Sequence, residues 1–172
     1  MDKEQFWQQY MNYRQQNQYQ EAVELCDQYI EENPVDSLAY LCRGSAKNYL
    51  KHYEESIKDL DESIRLEPNN ATAYNNRGFA KNELKRYEEA IKDYDEAIRL
   101  DPNNAAAYYN RGTAKSGLKH YEEAIKDYDE SIRLEPNNTT AYSNRGLAKN
   151  ELKHYEEAIK DFDESIRLDP NN

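Results

Sequence analysis

The stretch YNNRGFAK, residues 74–81, returns as YYNRGTAK at 108–115 and as YSNRGLAK at 142–149. Six of its eight letters hold in all three places, and two change: Asn75/Tyr109/Ser143 and Phe79/Thr113/Leu147. Working outward, the likeness extends to 34 residues, in copies at 37–70, 71–104, 105–138 and 139–172. The second and fourth of these are identical at 28 of 34 positions. Residues 3–36 form a diverged fifth copy, legible from NQYQEAVELCDQYIEENP (17–34) against KRYEEAIKDYDEAIRLDP (85–102). Self-similarity at this period marks a repeat architecture, so residues 1–172 are expected to form a single repeat domain.

Composition alone points elsewhere. Leu, Ile, Val and Phe make up 27 of 172 residues and the formal net charge is −11, a signature of disorder. Against it stand only five Gly and five Pro, and sixteen Tyr, each with a large ring to bury. Periodicity decides for a folded chain.

With each unit numbered from 1, a residue turns an α-helix by about 100°. In the first half, the letters constant in the four good copies stand at 3, 4, 7, 8, 10, 11 and 14 and share one broad face. The changing letters at 2, 5, 9 and 13 stand opposite. The second half opens on Glu-Glu and ends on Arg, which suits the helix dipole at both ends. PNN then stops it and offers an Asn N-cap to the next unit. Its charges, Glu88 with Lys92 and Asp95 with Arg99, are spaced for i,i+4 pairing on a solvated face. Each unit is a helix hairpin. Arg43, Arg77, Arg111 and Arg145 fall inside the constant arc, where an unpaired charge is costly. Carboxylate partners are therefore expected at unit positions 23 and 25, as with Asp93 and Asp95 for Arg77.

These letters resemble the tetratricopeptide repeat: an aromatic at 4, Gly at 8, small residues at 20 and 27, an aromatic at 24 and Pro at 32. Tyr74, Gly78, Ala90, Ala97, Tyr94 and Pro102 meet the pattern, and the match recurs in register over essentially the whole chain. Departures are Tyr10 where the first unit should have Gly, Lys at 11 and Arg at 7. The resemblance implies an all-α, right-handed superhelical solenoid of five antiparallel helix hairpins, whose first helices line a concave groove.

Positions 2, 5, 6, 9, 12 and 13 would then face that groove. In the first unit they include Trp7 and Met11; in 37–70, Leu38, Leu41, Cys42, Ser45 and Tyr49. In 71–104 they include Asn75, Asn76, Phe79 and Asn82. Tyr109, Asn110 and Thr113 follow in the next unit, and Ser143, Asn144 and Leu147 in the last. A fixed scaffold with a varied inner stripe suits recognition of a partner. Neutral drift would vary the exposed second helix as often, yet positions 18, 19, 22, 25, 26 and 29 do not change in the four good copies. Asn76, Asn110 and Asn144 recur at position 6; a carboxamide both donates and accepts, so such a ladder can hold an extended main chain. Long superhelical members of the family use an Asn ladder in this way, and the resemblance implies the same here. Members that clamp a terminal carboxylate carry Lys and Arg in the groove; only the Asn at 6 is present, and Glu83 and Glu151 lie near the rim. An acidic tail is a poor ligand.

Other function classes recede. His52, His120 and His154 share position 16, where Arg86 fills the fourth slot, so they are no metal set. Nothing pairs a nucleophile with a base or forms a phosphate loop, so neither catalysis nor a cofactor is expected. The acidic charge disfavours nucleic acid. No apolar run nears the ~20 residues of a membrane span. The polar start MDKEQFWQQY is no signal peptide, and two cysteines without a framework suit the cytoplasm. The expectation is a non-catalytic scaffold binding a peptide or protein. Two alternatives stay open: a module that self-assembles end to end, and an engineered repeat without a natural ligand. For the first, Phe162, Ile166 and Leu168 of the last hairpin are expected exposed, giving weak self-association.

Overall fold

The computed structural model describes residues 1–170. Ten helices follow in order: α1 (Lys3–Gln15), α2 (Tyr19–Glu32), α3 (Ser37–Tyr49), α4 (Tyr53–Leu66), α5 (Ala71–Glu83), α6 (Tyr87–Leu100), α7 (Ala105–Gly117), α8 (Tyr121–Leu134), α9 (Thr139–Glu151) and α10 (Tyr155–Leu168). The chain is all-α, and the helices alternate as the two halves of each repeat. They fall into two compact units, Met1–Leu84 with α1 to α5 and a second from Lys85 with α6 to α10.

Each helix start has a local cause. Asn70, Asn104 and Asn138, the last letters of successive PNN stops, accept from the N–H of Ala73, Ala107 and Ala141 at 3.2, 3.0 and 3.0 Å. Asp36 does the same for Leu38 at 3.0 Å. The final stop, at residues 170–172, extends past the described residues. Inside a hairpin the turn is of the Schellman kind. Lys51, Lys119 and Lys153 sit at φ 62, 63 and 64, and the N–H of His52, His120 and His154 reaches back to the carbonyls of Lys47, Lys115 and Lys149 at 2.9 Å. The three histidines thus open second helices with no side-chain cap of their own.

What lets two helices lie so close is Gly at position 8. A Cβ on Gly44, Gly112 or Gly146 would come within 2.8 Å of Leu60, Tyr128 or Phe162, the large residue at position 24 of the same hairpin. The first hairpin reverses the sizes. Tyr10 supplies the ring from α1, and Cys26 supplies the small partner on α2; both are buried in one cluster with Phe6, Ala22 and Tyr29. Phe6 stacks on Tyr29 at 4.2 Å. Serines at positions 20 and 27 satisfy themselves on first-helix carbonyls: Ser56 donates to Gly44 at 2.8 Å, Ser63 to Ser37 at 3.0 Å and Ser165 to Thr139 at 3.1 Å.

The position 7 arginines are ion-paired, with a change of partner from the expected one. Arg111 donates to both oxygens of Asp127 (2.6 and 3.0 Å) on its own hairpin, and its third arm reaches Asp95 of the helix before at 2.7 Å. Arg43 bridges Asp59 and Asp27 in the same way, and Arg145 bridges Asp161 and Asp129. The Asp at 25 therefore serves the next repeat, not its own: Asp61 takes Arg77 and Asp95 takes Arg111. This displaces the expected Asp95–Arg99 pairing. Arg65, Arg99, Arg133 and Arg167 instead take the Glu three residues before them, at 2.6 Å. Each position 7 arginine also lies over the position 4 Tyr ring, 5.3–5.5 Å from its centre.

At α10 the expectation of exposed Phe162 and Leu168 needs correcting. Both are half-buried, Phe162 because its ring fills the space over Gly146. Ile166 is exposed as expected, together with Tyr155 and Ile159.

Candidate functional site

In the first unit the inner stripe runs over α1, α3 and α5. Trp7 and Tyr49 are exposed, while Met11 and Leu38 are half-buried against the core. Tyr49 stacks flat on Tyr19 of α2, centroids 4.3 Å apart and planes 4° apart. A hydrogen bond from Arg14 to Tyr49 outweighs burial and raises the pKa of that guanidinium, so a cation stays beside the aromatic pair. Tyr53 meets Phe79 edge-on at 6.3 Å. Tyr19, Arg14 and Tyr53 were not among the residues expected here; the signal was Tyr at position 17 of every copy.

Polar groups of the stripe hold one another across neighbouring first helices. Asn76 donates from Nδ2 to Ser45 Oγ at 2.8 Å, and Ser45 donates to the Leu41 carbonyl at 2.7 Å. Asn48, itself buried, donates to the Asn76 carbonyl at 2.9 Å. Leu41, Asn75 and Asn110 are half-buried. In the second unit Asn144 donates to the Tyr109 hydroxyl at 2.9 Å, and Thr113 donates to the Tyr109 carbonyl at 3.1 Å. The ladder asparagines Asn76 and Asn144 thus each spend an amide donor on the neighbouring repeat. Leu147 is 55 % exposed.

Three expected stripe residues sit differently. Cys42 is 2 % exposed and belongs to the first unit's core beside Tyr10 and Cys26, because position 6 turns inward where the residue is small and apolar. Ser143 shares a hydrogen bond of 2.8 Å with Ser165 of α10, so its hydroxyl serves the hairpin interior. Asn82 has its Oδ1 buried without a partner among the described residues. Burial pushes the Cys42 thiol up to about 12 and raises Cys26 as well. We expect both to resist iodoacetamide at pH 8 in the folded chain by roughly a hundredfold or more relative to the urea-unfolded chain. Fast labelling of Cys42 in the native protein would return it to the surface stripe.

Among the described residues no group of three or more His, Cys, Asp and Glu is placed to hold a metal ion, and no helix is long and apolar enough to cross a membrane.

Family models described as TPR repeat match residues 44–83 and 80–117, and one described as tetratricopeptide repeat matches 105–138 and 139–172. The chain belongs to the tetratricopeptide repeat family. This tetratricopeptide repeat chain has no match among curated proteins. Solved structures share its fold along its length, as a solenoid of helix hairpins. A crystal structure of MamA is 23 % identical with a TM-score of 0.84, over 99 % of this chain and 96 % of that one. MamA from Desulfovibrio magneticus RS-1 (residues 41 to the end) is 19 % identical, with a TM-score of 0.85 over 98 % and 96 %. YrrB, described as a TPR protein with an unusual peptide-binding site, is 18 % identical with a TM-score of 0.76, over 95 % and 84 %.

Proposed function

We propose that the chain is a non-catalytic scaffold that binds an extended peptide or a partner protein along the inner stripe of its first helices, in the cytoplasm. One observation carries this reading. The stripe combines exposed apolar groups, Trp7, Tyr49 and Leu147, with recurring carboxamides, on a framework that otherwise repeats almost letter for letter. Exposed aromatics supply hot spots, and carboxamides pair with main chain regardless of sequence. The family supports partner binding in general, and YrrB, with its peptide-binding site, supports the peptide form of it.

The two kinds of group divide the labour. Asn110→Ala is expected to weaken a panel of unrelated peptides by a similar amount, about 1 kcal/mol for the lost main-chain bonds. Tyr109→Ala is expected to weaken only some of them, since it removes one side-chain pocket and frees Asn144. Calorimetric titration of the panel against both variants tests this. If both substitutions act alike on every peptide, the division is wrong; if neither acts on any, the stripe is not the binding surface.

A further inference from the structure

Position 13 of the inner stripe is where one hairpin meets the next, and the residue there sets the charge offered to a ligand. At four places the Tyr that opens a second helix leans on position 13 of the first helix that follows. Tyr19 stacks on Tyr49, and Tyr87 lies where a Cβ on Gly117 would touch its ring. At the other two the neighbour is an acid: Tyr53 donates to Glu83 Oε2 at 3.2 Å, and Tyr121 hydrogen-bonds Glu151. The first of these pairs belongs to the first compact unit and the other to the second.

Both glutamates are exposed, and among the described residues neither has a cation partner. The acids of the scaffold differ. Asp59 and Asp127 each hold an arginine and a lysine, while Asp61 and Asp95 hold the arginine of the next repeat. Glu83 and Glu151 are held by a phenol instead, which fixes the carboxylate and leaves it acceptor capacity for a donor from outside. Apolar surface adjoins both. The Phe79 ring meets Tyr53 nearly edge-on at 6.3 Å, and exposed Leu147 stands one turn before Glu151 on α9. Over positions 2, 5, 6, 9, 12 and 13 of all units the acids are Glu4, Glu83 and Glu151. The one cation is Arg14, which already donates to Tyr49.

We infer that the inner stripe selects an extended segment of a partner protein rich in Lys or Arg, with one basic side chain on Glu83 and the Tyr53 ring and another on Glu151 and the Tyr121 ring. The inference rests on the inner-stripe reading and adds the chemistry of the ligand. A carboxylate already fixed costs less to order on binding, and a ring beside it adds a cation–π attraction. The Glu83 site has a second ring in Phe79, where the Glu151 site has Leu147, so it should hold a cation more firmly. No stretch of this chain supplies such a ligand: its longest run of Lys and Arg is Lys85-Arg86, in the turn before α6. A second copy is therefore a poor occupant.

The test uses the full chain and three fluorescein-labelled peptides of equal length, built of Ser, Val and Pro to stay extended, with Lys, Gln or Glu at every third place. The Lys peptide is expected to bind roughly tenfold more tightly than the Gln peptide, and the Glu peptide more weakly still. Glu83→Gln and Glu151→Gln should each weaken the Lys peptide about threefold, as for exposed pairs, and together about tenfold. Phe79→Leu should weaken it about twofold. Glu88→Gln removes the same charge from an exposed site on α6 and should leave the affinity nearly unchanged. Glu83→Lys combined with Glu151→Lys should reverse the order and favour the Glu peptide. Unchanged helical circular dichroism confirms that the variants fold. No binding of the Lys peptide at millimolar concentration overturns the inference. So does equal affinity for the Lys and Gln peptides; if amide NMR shifts then follow the first helices, the stripe still stands as a binding surface. An equal response to Glu88→Gln and Glu83→Gln would mark a diffuse effect of net charge and overturns it too. Shifts confined to the second helices would remove the inner-stripe reading along with it. Self-association that the Lys peptide displaces and Glu83→Gln abolishes would assign the sites to a second copy instead.

Discussion

Tyr10→Gly is expected to destabilise the first hairpin by about 3–5 kcal/mol, the cost of deleting a buried ring. Tyr10 stands at position 8, where the other four copies have Gly, and Cys26 stands at position 24, where they have Leu60, Tyr94, Tyr128 or Phe162. Both are fully enclosed in the same cluster. The ring and the small residue have changed helices, while the space they share is filled either way. Cys26→Tyr alone should cost about 1–3 kcal/mol, because a second ring has no room beside Tyr10. Together the two substitutions restore the arrangement of the other hairpins, so the double variant should lie well above the sum of the singles. Urea unfolding, with amide exchange over α1 and α2 to localise the loss, measures the coupling. Strict additivity would show that the two side chains do not share one volume, and that the first hairpin is built on another principle.

That exchange was only half legible beforehand. Tyr10 was visible as a departure from Gly, but Cys26 reads as an ordinary small residue until the two are seen to face each other. The rest of the scaffold was plain in the letters, because repetition averages away local ambiguity. Asn after Pro-Asn caps the following helix at Asn70, Asn104 and Asn138, and Gly at 8 with a large residue at 24 needs no further context. The inner stripe was less legible. Position 6 faces the neighbouring repeat at Asn76 and Asn144, yet at Cys42 the same position joins the core, since a thiol gains more from burial than from water. Ser143 diverges for a related reason: a polar side chain turns toward whichever partner is nearest, here Ser165, and periodicity does not say which that is. Ion pairing showed the same limit. Spacing along one helix proposed Asp95 with Arg99, whereas Arg111 on the next helix holds Asp95 and leaves Glu96 for Arg99.

Asp127→Ala is expected to cost about 3–5 kcal/mol, more than any exposed charge substitution in the chain. Its carboxylate is 5 % exposed and holds two cations, Arg111 at 2.6 Å and Lys115 at 2.8 Å. Burial works against the Arg111 charge, but the hydrogen bonds it donates to Asp127 and Asp95 outweigh it and the guanidinium pKa ends raised. Removing Asp127 therefore leaves two positive groups, each mostly covered, facing each other across a vacated site. The guanidinium cannot shed its proton cheaply. Arg111→Leu should cost less than Arg111→Ala, because Leu keeps the apolar contact with Tyr108 and brings no charge to be matched; Asp127 then still has Lys115. Salt separates this network from the surface pairs. The loss in Asp127→Ala should persist at 1 M NaCl, where the Debye length is about 3 Å, because the pair is shielded from solvent. Glu130→Ala, which breaks the exposed pair with Arg133, should be without measurable effect at that salt. Guanidinium is unsuitable for such a series, so urea melts with and without NaCl serve. A loss in Asp127→Ala that vanished at high salt would mean that the arginine chain is surface decoration, and that Gly and the rings alone hold hairpin to hairpin.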